Sequence, residues 1–388
     1  MSTDAAANVP SALHWPDGLD EAGFLARYWQ RAPLLLPQAL PGFRTPLPPE
    51  ELAGLALEPD TTPRLIRRAT DGAYTLEHGP FEERLFETLG ARDWSLLVTD
   101  VEKHLPELAA WLAPFRVVPD WRLDDLMVSY APDGASVGAH VDEYDVFLLQ
   151  ASGTRRWSIE RDADRADARA HVAEGDIRLL AEFAPTDSWD LEPGDILYLP
   201  PGVPHHGVAV GDDCTTWSIG FRAPSAADIV MHVAERIAER LAARLPQSRL
   251  RDAGRGRGAS GEIDAATVDA VAALWHEAAA LDREDLIALS GELLTRSDTP
   301  EPLPDGDTLA DGADLRVSPF ARLAWTGHGE RVQLFADGER SSCSRELARR
   351  LCDERRLESG TITAFGPGDR AVLRALRERG VLVPDESR

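Results

Sequence analysis

Between Trp121 and Pro224 the chain breaks into short apolar runs bounded by Gly, Pro and Asp, at 126–130, 146–150, 156–159, 195–199 and 215–221. Runs of this length are too short to bury a helical stripe. Their β-branched and aromatic content, with turn residues at each end, specifies strands that are mostly antiparallel. Short antiparallel strands protect their edges by closing into barrels or two-sheet jelly rolls. The fold class that follows is α+β, with a centre that is mostly antiparallel strand.

The flanks have a different texture. The first hundred or so residues mix short helical patterns, at 20–30 and 49–57, with a Pro-rich break at 37–49, and read as a wrapping of helices and loops. After the strands, Ile229, Val233, Ile237, Leu241 and Leu245 recur every four residues and give 225–245 one apolar stripe on a long helix. A Gly/Arg-rich linker at 251–261 precedes helical segments at 265–281 and 284–296. These helices form either a dimerisation layer or core packing within one chain. A Pro/Gly/Asp linker at 302–314 leads to strands at 322–325, 332–336 and 381–383 and helices at 344–352 and 369–379, a mixture similar to a winged helix. Three parts result: 1–224 with the strands and their helical wrap, a helical 225–300, and a winged-helix-like 314–388.

Charge and composition narrow the function. The formal net charge of -25 argues against wholesale binding to nucleic-acid phosphates and suits a basic partner. Residues 314–388 carry 14 Arg against 12 Asp and Glu, which is close to neutral, so direct DNA binding by this part is not expected. Cys214, Cys343 and Cys352 form no Cys-x-x-Cys pair, so neither a disulfide framework nor a thiolate zinc site is expected. Nowhere do eighteen apolar residues occur in succession, and the first sixteen residues lack a basic stretch followed by an apolar one. The expected location is the cytoplasm, without a membrane partner. Lys103 is the sole lysine, so the positive charge is almost all arginine.

The chemistry concentrates in Gly138-Ala139-His140-Val141-Asp142, where His140 and Asp142 stand two residues apart and on a strand project from one face. The strand at 195–199 runs into Pro200-Pro201-Gly202-Val203-Pro204 and delivers His205. In a double-stranded β-helix these strands can be neighbours. Two imidazoles and one carboxylate on one side of an ion, with the other side open, is the arrangement of non-haem Fe(II) oxygenases. His-x-Asp alone is a short pattern that also occurs without a metal; His104, His171, His232, His276 and His328 lack the strand context and are read as structural or exposed. Arg155 is a second signal. It follows the strand at 146–150 and a turn at Ala151-Ser152-Gly153, one hairpin away from the metal strand, and a guanidinium there can take the distal carboxylate of 2-oxoglutarate through two parallel hydrogen bonds. Arg156 competes for this role, but strand alternation lets only one of the pair point inward.

The runs His140-Val-Asp142-Glu-Tyr144-Asp145-Val-Phe147-Leu-Leu-Gln150-Ala-Ser-Gly153-Thr-Arg155-Arg156-Trp157, Glu192-Pro-Gly-Asp195-Ile-Leu-Tyr198-Leu-Pro-Pro-Gly202-Val-Pro-His205 and Ser218-Ile-Gly220-Phe221-Arg222-Ala-Pro224 resemble the bacterial JmjC-type cupin ribosomal oxygenases. Members of that family hydroxylate an arginine of a large-subunit ribosomal protein. The match covers about a hundred central residues, and the order of the flanks fits the family over nearly the whole length. The resemblance implies a JmjC/cupin jelly roll, a helical dimerisation region that makes a homodimer, and a C-terminal winged helix.

It further implies that His140, Asp142 and His205 ligate Fe(II), that Arg155 binds 2-oxoglutarate, and that dioxygen (O2) is the oxidant. The family pattern is Pro-His followed by a variable residue and Gly, which favours His205 over the adjacent His206. Ser218 and Thr216 are candidates for further cosubstrate hydrogen bonds. Asp133, Glu143, Tyr144 and Asp145 are candidates to receive a substrate guanidinium at the mouth. Two alternatives stay open: the same chemistry on a histidine or another protein target, and a cupin joined to a winged helix acting as a regulator.

Overall fold

The computed structural model describes residues 12–161, 171–174, 177–244, 263–297 and 313–385. The chain divides into two compact units, Met1–Ala223 and Pro224–Arg388. In the first, α1 (Glu21–Arg27), β1 (Leu34–Leu36), α2 (Pro49–Leu55), β2 (Thr62–Arg68), β3 (Tyr74–His78), α3 (Glu83–Thr88), β4 (Trp94–Thr99) and α4 (Val101–His104) precede the central strands. These are β5 (Leu123–Ala131), β6 (Asp145–Ile159), β7 (His171–Glu174), β8 (Ile177–Leu180), β9 (Asp187–Leu191), β10 (Ile196–Leu199) and β11 (His205–Phe221).

Antiparallel pairing runs in the order β1-β10-β6-β11-β5-β4-β2-β3, with β9 also on β6. The long strands β6 and β11 pair from His205↔Ile159 to Phe221↔Asp145. Half-way along, β6 changes its other neighbour: Val146 to Leu149 pair with β10, whereas Arg155 to Ile159 pair with β9. The change falls where the β6–β11 register shifts, opposite Val210–Thr215.

Ala151-Ser152-Gly153 is therefore not a hairpin turn, and Arg155 belongs to the same strand as Val146. The turn-like residues serve a bulge instead. Ser152 Oγ donates to the Asp213 carbonyl at 2.7 Å, and Gly153 has φ +60° with that same carbonyl 2.7 Å from where a Cβ would stand.

Alternation along the strands separates two apolar clusters. Phe147, Leu149, Trp217, Ile219 and Phe221 face a core shared with the N-terminal wrap, including Phe24, Leu52 and Phe115. Val146, Leu148, Trp157, Leu197 and Leu199 form a second cluster on the opposite side. Helix α1 shows how the wrap is held. Asp20 caps it by accepting from Gly23 N at 2.8 Å, and Phe24 packs edge-on against Tyr198 with ring centroids 4.9 Å apart. Burying a side chain of this size stabilises the fold by about 1.5–3 kcal/mol.

The N-terminal part is less helical than its sequence suggests. Strands β2, β3 and β4 extend the sheet, with Leu65, Leu96 and Val98 buried. Arg64, Arg67 and Arg68 interrupt the apolar alternation of β2 and disguise it as a loop.

The second unit begins with α5 (Ala226–Arg244), α6 (Ala265–Ala278) and α7 (Arg283–Thr295). It continues with β12 (Leu315–Val317), β13 (Leu323–Thr326), β14 (Arg331–Ala336), β15 (Glu339–Ser344), α8 (Arg345–Arg349), β16 (Arg356–Leu357), α9 (Ser359–Ala364), α10 (Pro367–Glu378) and β17 (Leu382–Pro384). Two small sheets, β16-β12-β17 and β13-β14-β15, enclose a core of Leu334, Leu347, Leu351, Leu373 and Leu376. On the stripe of α5, Ile237 is buried and Ile229 is 46% exposed. Leu245, the side chain of Leu241, the linker at 251–261 and nearly all of the linker at 302–314 lie outside the described residues. Among the described residues no helix is long and apolar enough to cross a membrane.

Candidate active site

His140 and His205 are tied through the main chain. Each backbone N–H donates to the other's carbonyl at 3.0 Å, an isolated antiparallel bridge that brings the imidazole centroids to 4.2 Å. The segment 138–142 is thus not the regular strand expected from its spacing. Gly138 takes φ +90°, and Asp142 leaves the bridge in a loop whose backbone is fixed by Gly202 N on the Asp142 carbonyl at 2.9 Å. The two-residue spacing still brings His140 and Asp142 together.

The Nδ1–H of His140 donates to the Gly138 carbonyl at 3.0 Å and that of His205 to the Val203 carbonyl at 2.9 Å. With Nδ1 committed, each Nε2 lone pair points to the shared space. The Nε2 atoms lie 3.8 Å (His140) and 3.5 Å (His205) from Asp142 carboxylate oxygens, and the three candidate ligand atoms fall within 4.8 Å of one another. Burial, reinforced by the neighbouring His140, pushes His205 down to about 4, so its imidazole is neutral and available as a ligand at neutral pH. His206 is the next residue on β11. Its ring packs edge-on to Phe183, and it is absent from the cavity wall.

The triad opens into a cavity of about 270 Å³. Arg155 reaches this cavity from β6 and is only 3% exposed. Its guanidinium lies 5.7 Å from the Trp157 ring centroid, and Nε and Nη2 are buried with no hydrogen-bond partner among the described residues. A buried guanidinium left this way costs free energy unless an anion joins it. Arg156 points outward and forms two parallel bonds with Asp190, at 2.7 and 2.8 Å.

Ser218 lines the cavity. Thr216 does not, because its hydroxyl is buried and donates to Gln150 Oε1 at 3.0 Å. Of the four residues expected at the mouth, Tyr144 lines the cavity, and Glu143 is exposed and apart from it. Asp133 is elsewhere: it accepts from Gly211 N at 2.8 Å and pairs with Arg92 at 3.3 Å. Asp145 is fully buried on the core side, where it accepts from Tyr198 Oη at 2.6 Å, Gln30 Nε2 at 3.0 Å and Arg122 Nη2 at 3.2 Å. Alternation explains the last correction, since Val146 faces the cavity and its neighbour must face away.

Four residues absent from the sequence-based set bear on the site: Arg64, Met127 and Ser129 line the cavity, and Asp125 shares a face of β5 with the last two. Leu126 and Val128 are in the core, so Asp125, Met127 and Ser129 share the opposite face of β5, and the last two line the cavity. Asp125 Oδ1 stands 2.5 Å from where a Cβ on Gly220 would be, with Tyr144 Cε2 3.8 Å from that point; only glycine admits the carboxylate. Burial, aided by Asp124 and Asp100, raises Asp125 to about 7. From β2, Arg64 enters the same cavity and places Nη2 3.0 Å from Met127 Sδ. The period-two pattern of Asp125-Leu126-Met127-Val128-Ser129 was the signal for this wall.

Comparison with known proteins places this geometry. A family model for the JmjC domain matches residues 110–229. The X-ray structure of Escherichia coli YcfD superposes with a TM-score of 0.81 at 30% identity, over 96% of this chain and 100% of that one. The structure of YcfD described as a ribosomal oxygenase in complex with cobalt and 2-oxoglutarate superposes with a TM-score of 0.76 at 31% identity, over 96% and 99%. The chain belongs to the JmjC ribosomal oxygenases. Among curated members of the family, ribosomal protein uL16 3-hydroxylase of Escherichia coli is 40% identical over 225 residues, covering 58% of this chain and 57% of that protein. The chain thus matches little more than half the length of that curated ribosomal oxygenase.

Proposed function

We propose that this chain is an Fe(II)- and 2-oxoglutarate-dependent oxygenase that hydroxylates an arginine side chain of a large-subunit ribosomal protein, with uL16 as the first candidate. The observation that carries the reading is Arg155: a buried guanidinium whose Nε and Nη2 have no hydrogen-bond partner among the described residues enters the same cavity as His140, Asp142 and His205. With Fe(II) held by His140, Asp142 and His205, the centre would supply activation of dioxygen coupled to decarboxylation of 2-oxoglutarate to succinate.

The chain's own residues do the positioning. Arg155 anchors the distal carboxylate of the cosubstrate through its planar fork, and Ser218 on β11 offers a hydroxyl beside it. Asp125 and the Tyr144 ring face one another across Gly220 and suit a planar cation, the carboxylate as acceptor and the ring as a surface. Main-chain fixation of both histidines would fix the orientation of the centre, and proximity decides which C–H bond reacts.

The remaining features fit the same reading. Val230, Met231, Val268, Val271 and Trp275 are each more than half exposed on α5 and α6, an apolar surface suited to a second copy of this chain. The small sheets and helices from β12 to β17 are read as winged-helix-like and without a DNA role. A ribosomal target would suit a cytoplasmic location.

The test incubates the purified chain with Fe(II), 2-oxoglutarate and uL16. One oxygen atom gained on a single arginine, matched by succinate and abolished by His140→Ala, is the expected result. Oxygen on a histidine or on another ribosomal protein would keep the chemistry and move the target. No product from any ribosomal protein would overturn the reading.

A further inference from the structure

Strand β6 reverses its facing half-way along. Val146 and Leu148 line the cavity, while Phe147, Leu149 and Ala151 enter the core shared with the N-terminal wrap. Further along, Arg155 and Trp157 line the cavity and Arg156 points outward to Asp190. An unbroken strand with Val146 and Leu148 on the cavity side would bring Thr154 and Arg156 to that side and turn Arg155 away.

The pairing with β11 locates the reversal. Thr216 and Thr215, adjacent on β11, stand opposite Gln150 and Ser152, so Ala151 is one residue more than the partner strand matches. That extra residue decides which of two consecutive arginines enters the cavity of the triad.

A bulge interrupts the ladder, so other bonds must hold the strand in that shape. Gln150 makes them. Its side chain is fully buried, and Nε2 reaches across Ala151 to donate to the Ser152 carbonyl at 2.7 Å. Oε1 accepts from the Thr216 hydroxyl at 3.0 Å, which pins the amide to the partner strand. The main chain of Gln150 is bonded on the other side: its N–H donates to the Asp195 carbonyl at 2.9 Å, and its carbonyl accepts from Gly194 N–H at 3.0 Å. Gln150 thus ties β6 to β11 and to the turn before β10 where the facing changes. Neither Gln150 nor Thr216 is part of the cavity wall.

We propose that Gln150, held by Thr216, is a positioning residue for the cosubstrate: it fixes the bulge that sets the facing of β6 and so places the Arg155 guanidinium in the cavity. The proposal rests on the reading of Arg155 as the anchor of 2-oxoglutarate. An apolar side chain at position 150 would leave the Ser152 carbonyl without this donor and the Thr216 hydroxyl without this acceptor, and the strand would relax to satisfy them. Such relaxation moves Arg155, five residues on, while the bridge between His140 and His205 lies elsewhere in the chain and stays in place.

The experiment measures the Kd of 2-oxoglutarate by calorimetry with Co(II) in place of Fe(II). With Fe(II) it measures KM for 2-oxoglutarate, KM for a uL16 peptide, and kcat. Wild type, Gln150→Met, Thr216→Val and Thr216→Ser are compared, with Leu52→Ala, a truncation in the same core, as the control for general loss of stability. Gln150→Met should raise Kd and KM for 2-oxoglutarate about tenfold and leave kcat and the peptide KM within about twofold. Thr216→Val should raise the same two constants roughly threefold, and Thr216→Ser, which keeps the hydroxyl, should return them to the wild-type values. Leu52→Ala should lower the unfolding temperature without moving either constant. If Gln150→Met does not fold, the contrast between Thr216→Val and Thr216→Ser decides.

Unchanged affinity for 2-oxoglutarate in folded Gln150→Met would overturn the proposal, as would a loss that Leu52→Ala reproduces. An Arg155→Met variant that binds 2-oxoglutarate as tightly as the wild type would overturn the underlying reading of Arg155 instead.

Discussion

Single buried ionisable residues in this molecule each have a measurable consequence. Arg155 is the clearest. Its buried Nε and Nη2 have no hydrogen-bond partner among the described residues, which costs stability until a carboxylate arrives. Arg155→Met should therefore unfold at the same or a slightly higher temperature than the wild type in buffer, within about 1–3 kcal/mol. It should also lose the stabilisation that added 2-oxoglutarate gives the wild type, so thermal scans with and without the keto acid separate the two effects. Glu102 behaves differently. Its carboxyl is raised from 4.5 to about 8 by burial, so the folded state holds a proton that the unfolded state releases. Its contribution to stability is complete below about 4.5 and is lost as pH rises through about 8. Urea titrations from pH 5 to 9 should show falling stability in the wild type and a flatter profile in Glu102→Gln. What the sequence reveals at this scale depends on spacing. His140 and Asp142 two residues apart, and Arg155 against Arg156, are readable from strand alternation alone. Asp133 and Asp145 are not, since nothing local distinguishes a mouth carboxylate from one that ties a turn or sits beneath Tyr198.

At the scale of elements, the decisive feature is the bulge that lets β6 leave β10 for β9. It lies between Gln150 and Arg155, so it sets where the guanidinium lands. Gly153→Ala forces a Cβ onto the Asp213 carbonyl at φ +60°. The substitution should cost more than about 1 kcal/mol of stability and raise KM for 2-oxoglutarate more than KM for the protein substrate. Equal rises in both constants would refute the link between the bulge and Arg155. The same segment shows why a sequence reading stops where it does. Ala-Ser-Gly is turn chemistry in either setting, and only the partner strand decides between hairpin and bulge. The strand β2 was hidden for another reason: Arg64, Arg67 and Arg68 break the apolar alternation that marks a strand. Conversely, β5, β10 and β11 were legible because both faces of their runs are apolar or small.

For the whole molecule, net charge and exposed apolar surface point to different partners. A formal charge of -25 favours encounter with a basic protein, and the field acts before any contact forms. The apolar residues on α5 and α6 instead suit a like surface. Replacing Trp275, which is 62% exposed, by Asp should convert a dimer to a monomer in sedimentation velocity while leaving the folded monomer's thermal transition within a few degrees. A wild type that sediments as a monomer at tens of micromolar would remove the basis for that assignment.

The reciprocal main-chain bridge between His140 and His205 reaches beyond geometry. Two donor groups more than sixty positions apart in the chain already share a single rigid frame through backbone amides and carbonyls, so their alignment does not depend on the ion they would hold. The entropy of gathering distant ligands is spent during folding rather than at loading. A site assembled in this way favours fast capture and ready exchange of its ion, and it can survive loss of that ion without losing its shape.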